Sequence, residues 1–171
     1  MISRSERRNL AREILETLPR VMRLVGADLR RCDPPLDHAT FRVMVMLGRR
    51  ACNLSDLAAR QGVSLPTMSR TVSTLVDRGW VGRTEEAADR RQVRLELTLA
   101  GRRFLARTHA QLLRTLSQSL GGLSADGARR VHDGLATLTH ELEPAAAAGA
   151  EPSKATGRAP LLAELPPADK R

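Results

Sequence analysis

The sequence predicts a mainly α fold with a small β-wing: a winged helix-turn-helix with further helices at its N- and C-terminal ends. Three observations predict it. Between Asn53 and Asp77 two short amphipathic patterns are separated by one turn residue, Gly62. Soon after them, Gln92 to Thr98 alternates, with Val93, Leu95 and Leu97 to one side and Arg94 and Glu96 to the other, the period-two signature of a half-buried strand. Outside this block, apolar residues recur every three or four positions over stretches longer than a winged lobe requires for its own burial.

Taken in order, residues 5 to about 31 carry Leu10, Ile14, Leu18, Val21, Val25 and Leu29 on one stripe, broadened by Leu15 and Met22. Pro19 falls inside this helix and predicts a kink, or a restart capped by Thr17. The segment Cys32-Asp33-Pro34-Pro35 ends it, because Pro34 disfavours a helical Asp33. A second helix is expected from Asp37, a good N-cap, through Val43, Met44 and Leu47 to Arg50.

Asn53 is the expected cap of the third helix, with Asp56 placing a carboxylate at its positive end and Leu54, Leu57 and Ala58 on one face. Gly62 supplies the C-terminal turn, since it adopts positive φ without steric cost. Ser64 caps the fourth helix and Pro66 lies in its first turn, where a missing N–H costs nothing. This helix is expected to bury Val63, Met68, Val72, Leu75 and Val76. Its other face holds Thr67, Ser69, Arg70, Ser73 and Thr74, short hydrogen-bonding groups around one guanidinium. Such a face packs a core poorly and suits entry into a groove.

Trp80-Val81 follows the Gly79 stop, and the polar run Arg83 to Arg91 reads as the loop between two strands. After Thr98 a long helix carries Phe104, Leu105, Leu112, Leu113, Leu116 and Leu120. Gly121-Gly122 breaks it, and Ser124 caps a last helix with Val131, Leu135, Leu138 and Leu142. The first and the last two helices (5–35 and 101–143) read as a dimerisation region around a winged lobe at 36–100. From Pro144 the sequence turns rich in Ala, Pro and Gly, the composition of a disordered tail at 144–171.

The net charge of +9 over 171 residues sits almost wholly outside that tail, which contributes +1. In residues 1–143 every basic side chain is arginine, whose planar fork suits phosphate and guanine. A basic domain points to a polyanion such as double-stranded DNA; a solvated basic surface is the plain alternative. No apolar run approaches the ~20 residues of a membrane span. No signal peptide is visible either, and Cys32 and Cys52 make no secreted disulfide framework, so a cytoplasmic location is expected.

The residues Leu54 to Val81, LSDLAARQGVSLPTMSRTVSTLVDRGWV, and Ala88 to Gly101, ADRRQVRLELTLAG, resemble the MarR-type bacterial transcription regulators. Asp89, Arg91, Leu97, Thr98 and Gly101 fit the wing signature of that family, and the likeness extends over residues 5 to 143. The resemblance implies a homodimer that sets two recognition helices about one turn of DNA apart, ~34 Å, on a palindrome-like operator. It implies that Arg91 enters the minor groove while Asp89 orients it, with a salt bridge internal to the wing as the alternative for Arg91, and that a small molecule releases a repressor from its operator.

The expected DNA-binding residues are Ser64, Thr67, Ser69, Arg70, Ser73, Arg90 and Arg91. The hydroxyls suit phosphate oxygens, and Arg70 is long enough for a phosphate or the O6/N7 edge of guanine. For Trp80 a packing role under the wing is expected, and Arg83, Arg90 and Arg94 are open to a purely solvated reading. An effector crevice is sought at Met22, Leu36, His38, Phe41, Met44 and Met46, with ordinary core packing as the alternative. Tyrosine is absent, so a hydroxyl-bonding pocket for a phenol is poorly supplied. The resemblance also implies two other sensors, a cysteine switch, for which Cys32 is the candidate against an inert cysteine, and a zinc set of Cys32, His38 and His109, incomplete because Leu113 stands where relatives carry a further histidine. A non-sensing architectural DNA binder is the remaining alternative. Glu85, Glu86 and Asp89 cluster in a hairpin tip that gives no burial to tune them, and no Gly-rich phosphate loop follows a strand, so neither catalysis nor a cofactor is expected.

Overall fold

In the computed structural model the backbone is described for residues 2–86 and 89–148 and the side chains for 2–84 and 93–142. The order is α1 (Arg4–Arg31), α2 (His38–Arg49), α3 (Leu54–Gln61), α4 (Leu65–Asp77), β1 (Val81–Glu86), β2 (Asp89–Leu97), α5 (Leu99–Ser119) and α6 (Ala125–Ala148). The mainly α architecture with a two-stranded antiparallel wing is the one expected.

Helix starts follow the short polar residues read as caps. Asp37 accepts from the Thr40 N–H at 2.7 Å, Asn53 from Asp56 at 2.7 Å, and Thr98 from Gly101 at 3.0 Å. Ser124 accepts from Gly127 at 3.1 Å. Each satisfies one of the four N–H groups that a helix start leaves open. Gly62 closes α3 at φ 66°, in the left-handed region that glycine enters without penalty.

The core joins the winged lobe to the adjoining ends of α1 and α5. Phe41, Val43, Met44, Val45 and Leu47 of α2 meet Leu57 of α3, Met68, Val72 and Leu75 of α4, Leu95 and Leu97 of β2, and Phe104, Leu105 and Leu112 of α5. Leu29 is the fully buried apolar residue of α1. Cys52 adds a short third rung to the sheet, its N–H donating to the Leu95 carbonyl at 3.1 Å and its carbonyl accepting from Leu95 at 2.8 Å. Burial raises the Cys52 thiol above its ordinary pKa, and Arg50 and Arg60 offset only part of that rise.

Several expectations are corrected. The first helix does not restart at Thr17: α1 is continuous through Pro19 and begins at a capping box, Ser3 with Glu6, whose N–H groups are each taken by the other side chain. One missing hydrogen bond at an exposed proline is offset by the rest of a long helix. Val63 is 39% exposed rather than buried, because it precedes the cap and is held by its N–H bond to the Ala58 carbonyl, and Val76 is half-buried. The strands run further than the alternating pattern suggested, to Glu86 and back from Asp89. A two-stranded ribbon pairs its backbone whether or not its side chains are buried, so polar residues 83–86 and 89–91 read as loop yet form strand. Val93 accordingly stays exposed although it alternates in step with buried Leu95 and Leu97. The last helix continues to Ala148, past the boundary expected at 143, and residues 149–171 lie outside the described residues.

Candidate nucleic-acid interface

α4 turns Met68, Val72 and Leu75 inward and leaves Thr67, Arg70 and Thr74 exposed, with Ser69 and Ser73 at the half-buried edge. At 3.6 residues per turn, Arg70 lies almost opposite the Met68–Val72–Leu75 seam, at the middle of the outer face. Cap chemistry differentiates the hydroxyls on this face. Ser64 Oγ accepts from the Thr67 N–H at 3.4 Å and lies 3.0 Å from Thr67 Oγ1, so the two hydroxyls share one bond and keep one proton free. Thr71 and Thr74 donate back to the carbonyls of Thr67 and Arg70, at 3.2 and 3.1 Å. Among the described residues Ser69, Ser73 and Arg70 take no partner within the chain, so their donors remain available to phosphate or base edges. Asp77, also exposed on the last turn of α4, adds one negative charge at that end.

The wing stands beside this helix. Its register pairs Arg83 with Leu95, Thr84 with Arg94 and Glu85 with Val93, with a bulge between Glu85 and Glu86. Thr84 Oγ1 donates to Glu96 Oε1 at 3.3 Å across the two strands. An open groove of about 230 Å³ separates wing from helix and is lined by Leu54, Ser69, Val72, Arg83, Val93 and Leu95. Arg83, open to a purely solvated reading in the sequence, therefore lines the same groove as Ser69. Only the pairing of β1 with β2 places it there, which is why spacing alone did not reveal it. Asp89, Arg90 and Arg91 lie on the backbone of β2, and the roles expected of their side chains fall outside the described residues.

A hydrogen-bonded joint fixes helix and wing to each other. Gly79 turns the chain at φ 68°, and Trp80 is buried with its ring stacked on Phe104, centroids 3.9 Å apart, the packing role expected for it. Thr98 donates its hydroxyl to the Gly79 carbonyl at 2.7 Å and its N–H to the Trp80 carbonyl at 3.0 Å.

The other expected site residues separate. Leu36, Phe41 and Met44 are core residues, Met46 packs against that core, and Met22 is exposed on α1. His38 packs against Gly26, where an added Cβ would stand 2.7 Å from its Nε2. Leu36, Phe41 and Met44 are thus packed among core side chains. Cys32 Sγ contacts the Asp28 carbonyl at 3.5 Å and Thr108 Oγ1 at 3.8 Å. Cys32, His38 and His109 do not converge: among the described residues no three His, Cys, Asp or Glu side chains are placed to hold a metal ion. His109 instead has its Nε2 buried without a partner among the described residues, and burial lowers its pKa from 6.5. Among the described residues no helix is long and apolar enough to cross a membrane.

The MarR family model matches residues 35–92, the segment that runs from the start of α2 into the wing. Among solved structures, wild-type MarR from E. coli in its apo form is 25% identical, with a TM-score of 0.64 over 75% of this chain and 96% of that one. A MarR family protein from Bacillus stearothermophilus is 16% identical with a TM-score of 0.73, covering 83% and 99% of the two chains. A cysteine-to-serine mutant of E. coli MarR complexed with operator DNA is 24% identical, with a TM-score of 0.58 over 81% and 99%. Residues 35–92 thus match the MarR family, and the helices on both sides of them continue the winged helix-turn-helix fold of the MarR structures.

Proposed function

We propose that the protein is a sequence-specific DNA-binding transcription regulator that acts as a homodimer on a palindrome-like operator, and that it is a repressor released by a small molecule. The observation that carries the reading is the outer face of α4: Arg70 exposed at its middle, flanked by the hydroxyls of Ser69 and Ser73, which take no partner among the described residues, with the wing and Arg83 alongside. An apolar helix face would be expected of a protein-interaction module, and this face is polar and basic. Ser64, Thr67, Ser69 and Ser73 serve phosphate oxygens, Arg70 serves a base edge, and Arg90 and Arg91 carry the wing into the adjoining minor groove with Asp89 orienting Arg91.

Dimerisation is supported by what the single chain leaves uncovered. Leu10, Leu15 and Leu18 of α1, Leu113 of α5 and Val131, Leu135 and Leu142 of α6 are all exposed. Apolar surface on this scale marks an interaction site. A second copy covers it symmetrically, as most soluble oligomers do. The repressor reading is drawn by analogy with a structural neighbour, the Multiple Antibiotic Resistance Repressor, MarR. The effector site is expected where α1, α2 and α5 meet, around Met22 and His38, with core residues Leu36, Phe41 and Met44 behind it.

Selection of bound sites from a random duplex pool, followed by a screen for small molecules that release the selected site, tests the reading. Recovery of a motif with twofold symmetry is the expected result. Binding that is equal on selected and random duplex, with a normal salt dependence, would reduce the protein to an architectural DNA binder.

A further inference from the structure

We propose that Arg78 is a positioning residue that fixes the angle of α4 relative to α1 and α5, and thereby sets the half-site spacing that the dimer accepts. The proposal rests on the regulator reading above. Arg78 is the C-cap of α4 and is exposed, where a cation near the helix carboxyl end needs no further explanation than the helix dipole. Its guanidinium does more than that. One nitrogen, Nη1, donates to the Pro35 carbonyl at 3.3 Å, and Cζ lies over the Trp80 ring, 5.2 Å from its centroid.

Both contacts lead to the helices that carry the uncovered apolar surface. Pro35 precedes Leu36, whose N–H donates to the Leu29 carbonyl in the last turn of α1 at 3.0 Å, and both leucines are buried. Trp80 stacks on Phe104 of α5. Elsewhere α4 packs chiefly on α3 and β1 of the winged lobe, and the Thr98 joint holds its exit beside α5, so Arg78 adds the tie to the connection leaving α1. One side chain therefore spans from the end of the recognition helix to the connection leaving α1 and to the aromatic pair resting on α5.

Lever arithmetic shows why such a tie bears on spacing. α4 has 13 residues, so at 1.5 Å each it is about 20 Å long. A rotation of ~10° about its C-terminal end swings its N-terminal turn, with Ser64 and Thr67, by ~3.4 Å. That displacement equals the rise of about one base pair. Loosening the tie should thus widen the accepted spacing while leaving each half-site read as before.

The test uses the full chain and a duplex library in which two copies of the half-site selected by the wild type are separated by spacers of varied length. Wild type, Arg78→Ala, Arg78→Met and Arg78→Lys are compared, with melting temperature as the check on folding. Methionine keeps apolar contact with Trp80 and loses the donor, whereas lysine keeps a donor and the charge. In Arg78→Ala and Arg78→Met the preference for the best spacing over its neighbours one base pair away falls by about threefold or more, with the half-site sequence unchanged. Arg78→Lys restores most of that preference. Should alanine not fold, methionine and lysine carry the comparison. An unchanged spacing profile in the alanine or methionine variant overturns the proposal, as does a lysine variant no better than methionine. A wild type that selects no paired half-sites at all sinks the regulator reading first, before any variant is compared, and this proposal with it.

Discussion

The Cα of Gly101 lies directly against the carbonyl of Trp80: a Cβ built on Gly101 would overlap the carbonyl oxygen and stand 2.9 Å from the carbonyl carbon. That oxygen already accepts from the Thr98 N–H, and the Thr98 hydroxyl caps α5 through the Gly101 N–H while reaching the Gly79 carbonyl. The physical content of the Leu-Thr-x-x-Gly pattern is therefore a close approach of α5 to the exit of α4. Gly101→Ala forces that joint apart and should destabilise the fold by roughly 1–3 kcal/mol, the cost of overpacking a closed site. A thermal or urea melt measures it, and a variant as stable as wild type would show that the joint has slack.

Arg70 and Thr67 make a second test, this time of the reading face. Thr67→Ala with Arg70→Ala removes the guanidinium at the middle of α4 and one of the two hydroxyls at its start. If Arg70 reads a guanine edge, discrimination falls by about 1–3 kcal/mol. Operator binding then drops more than binding to random duplex, and the preferred sequence relaxes at one position of each half-site. Ser69→Ala with Ser73→Ala should instead lower both alike, because phosphate contacts carry no sequence information. Equal losses from both pairs of substitutions would remove Arg70 from base reading.

For the wing, the expected consequence is in affinity. Arg91→Ala should weaken operator binding by about tenfold or more, ~1.4 kcal/mol, and lower the slope of affinity against salt by close to one contact per subunit. The melting temperature should barely move, since strand β2 pairs through backbone groups at this end. An unchanged salt-dependent isotherm would take Arg91 out of the mechanism.

His109 gives a pH dependence whose sign is fixed by burial. Its folded-state pKa is lowered from 6.5, so the folded chain holds the proton less tightly than the unfolded one. Stability contributed by the neutral ring is present above pH 6.5 and is lost as pH falls through the lowered folded value. A series of melts across that window should show stability declining on acidification, and His109→Gln should flatten part of the decline. If the histidine and glutamine proteins run parallel, His109 is not the titrating group.

Most of the fold was legible because it rests on local rules. Caps at Asp37, Asn53, Ser64, Thr98 and Ser124, the glycine turn at Gly62 and the inward seam of α4 are each a residue type at a required spacing. What escaped depended on partners distant in the chain. The rung between Cys52 and Leu95 links residues that no periodicity connects, and the groove holding Arg83 beside Ser69 exists only once the wing has paired. The wing strands were underestimated since polar side chains hide a backbone pairing that needs no burial. The zinc set illustrates the converse: Cys32, His38 and His109 sit on elements that do meet, yet Cys32 turns to Thr108 and His38 to Gly26. Direction along a helix separates residues that proximity of elements would join.

The strongest test of the assembly lies on α6, where the two readings of one residue give opposite results. Leu135 is 59% exposed in the single chain, and Val131 and Leu142 are exposed on the same helix. If the chain worked alone, Leu135→Glu would be a surface change worth no more than about 0.5 kcal/mol, and it would improve solubility. If a second copy covers α6, the substitution trades a buried leucine, ~1.5–3 kcal/mol of burial, for a carboxylate forced into an apolar seam. It does so twice per dimer, because a twofold interface repeats every contact. Sedimentation should then show wild type at twice the mass of the variant, and operator affinity should collapse in the variant while its half-site contacts remain intact. Paired recognition helices are what make an operator longer than one half-site worth binding. A variant that is monomeric yet binds the full operator as tightly as wild type would break the link between assembly and recognition.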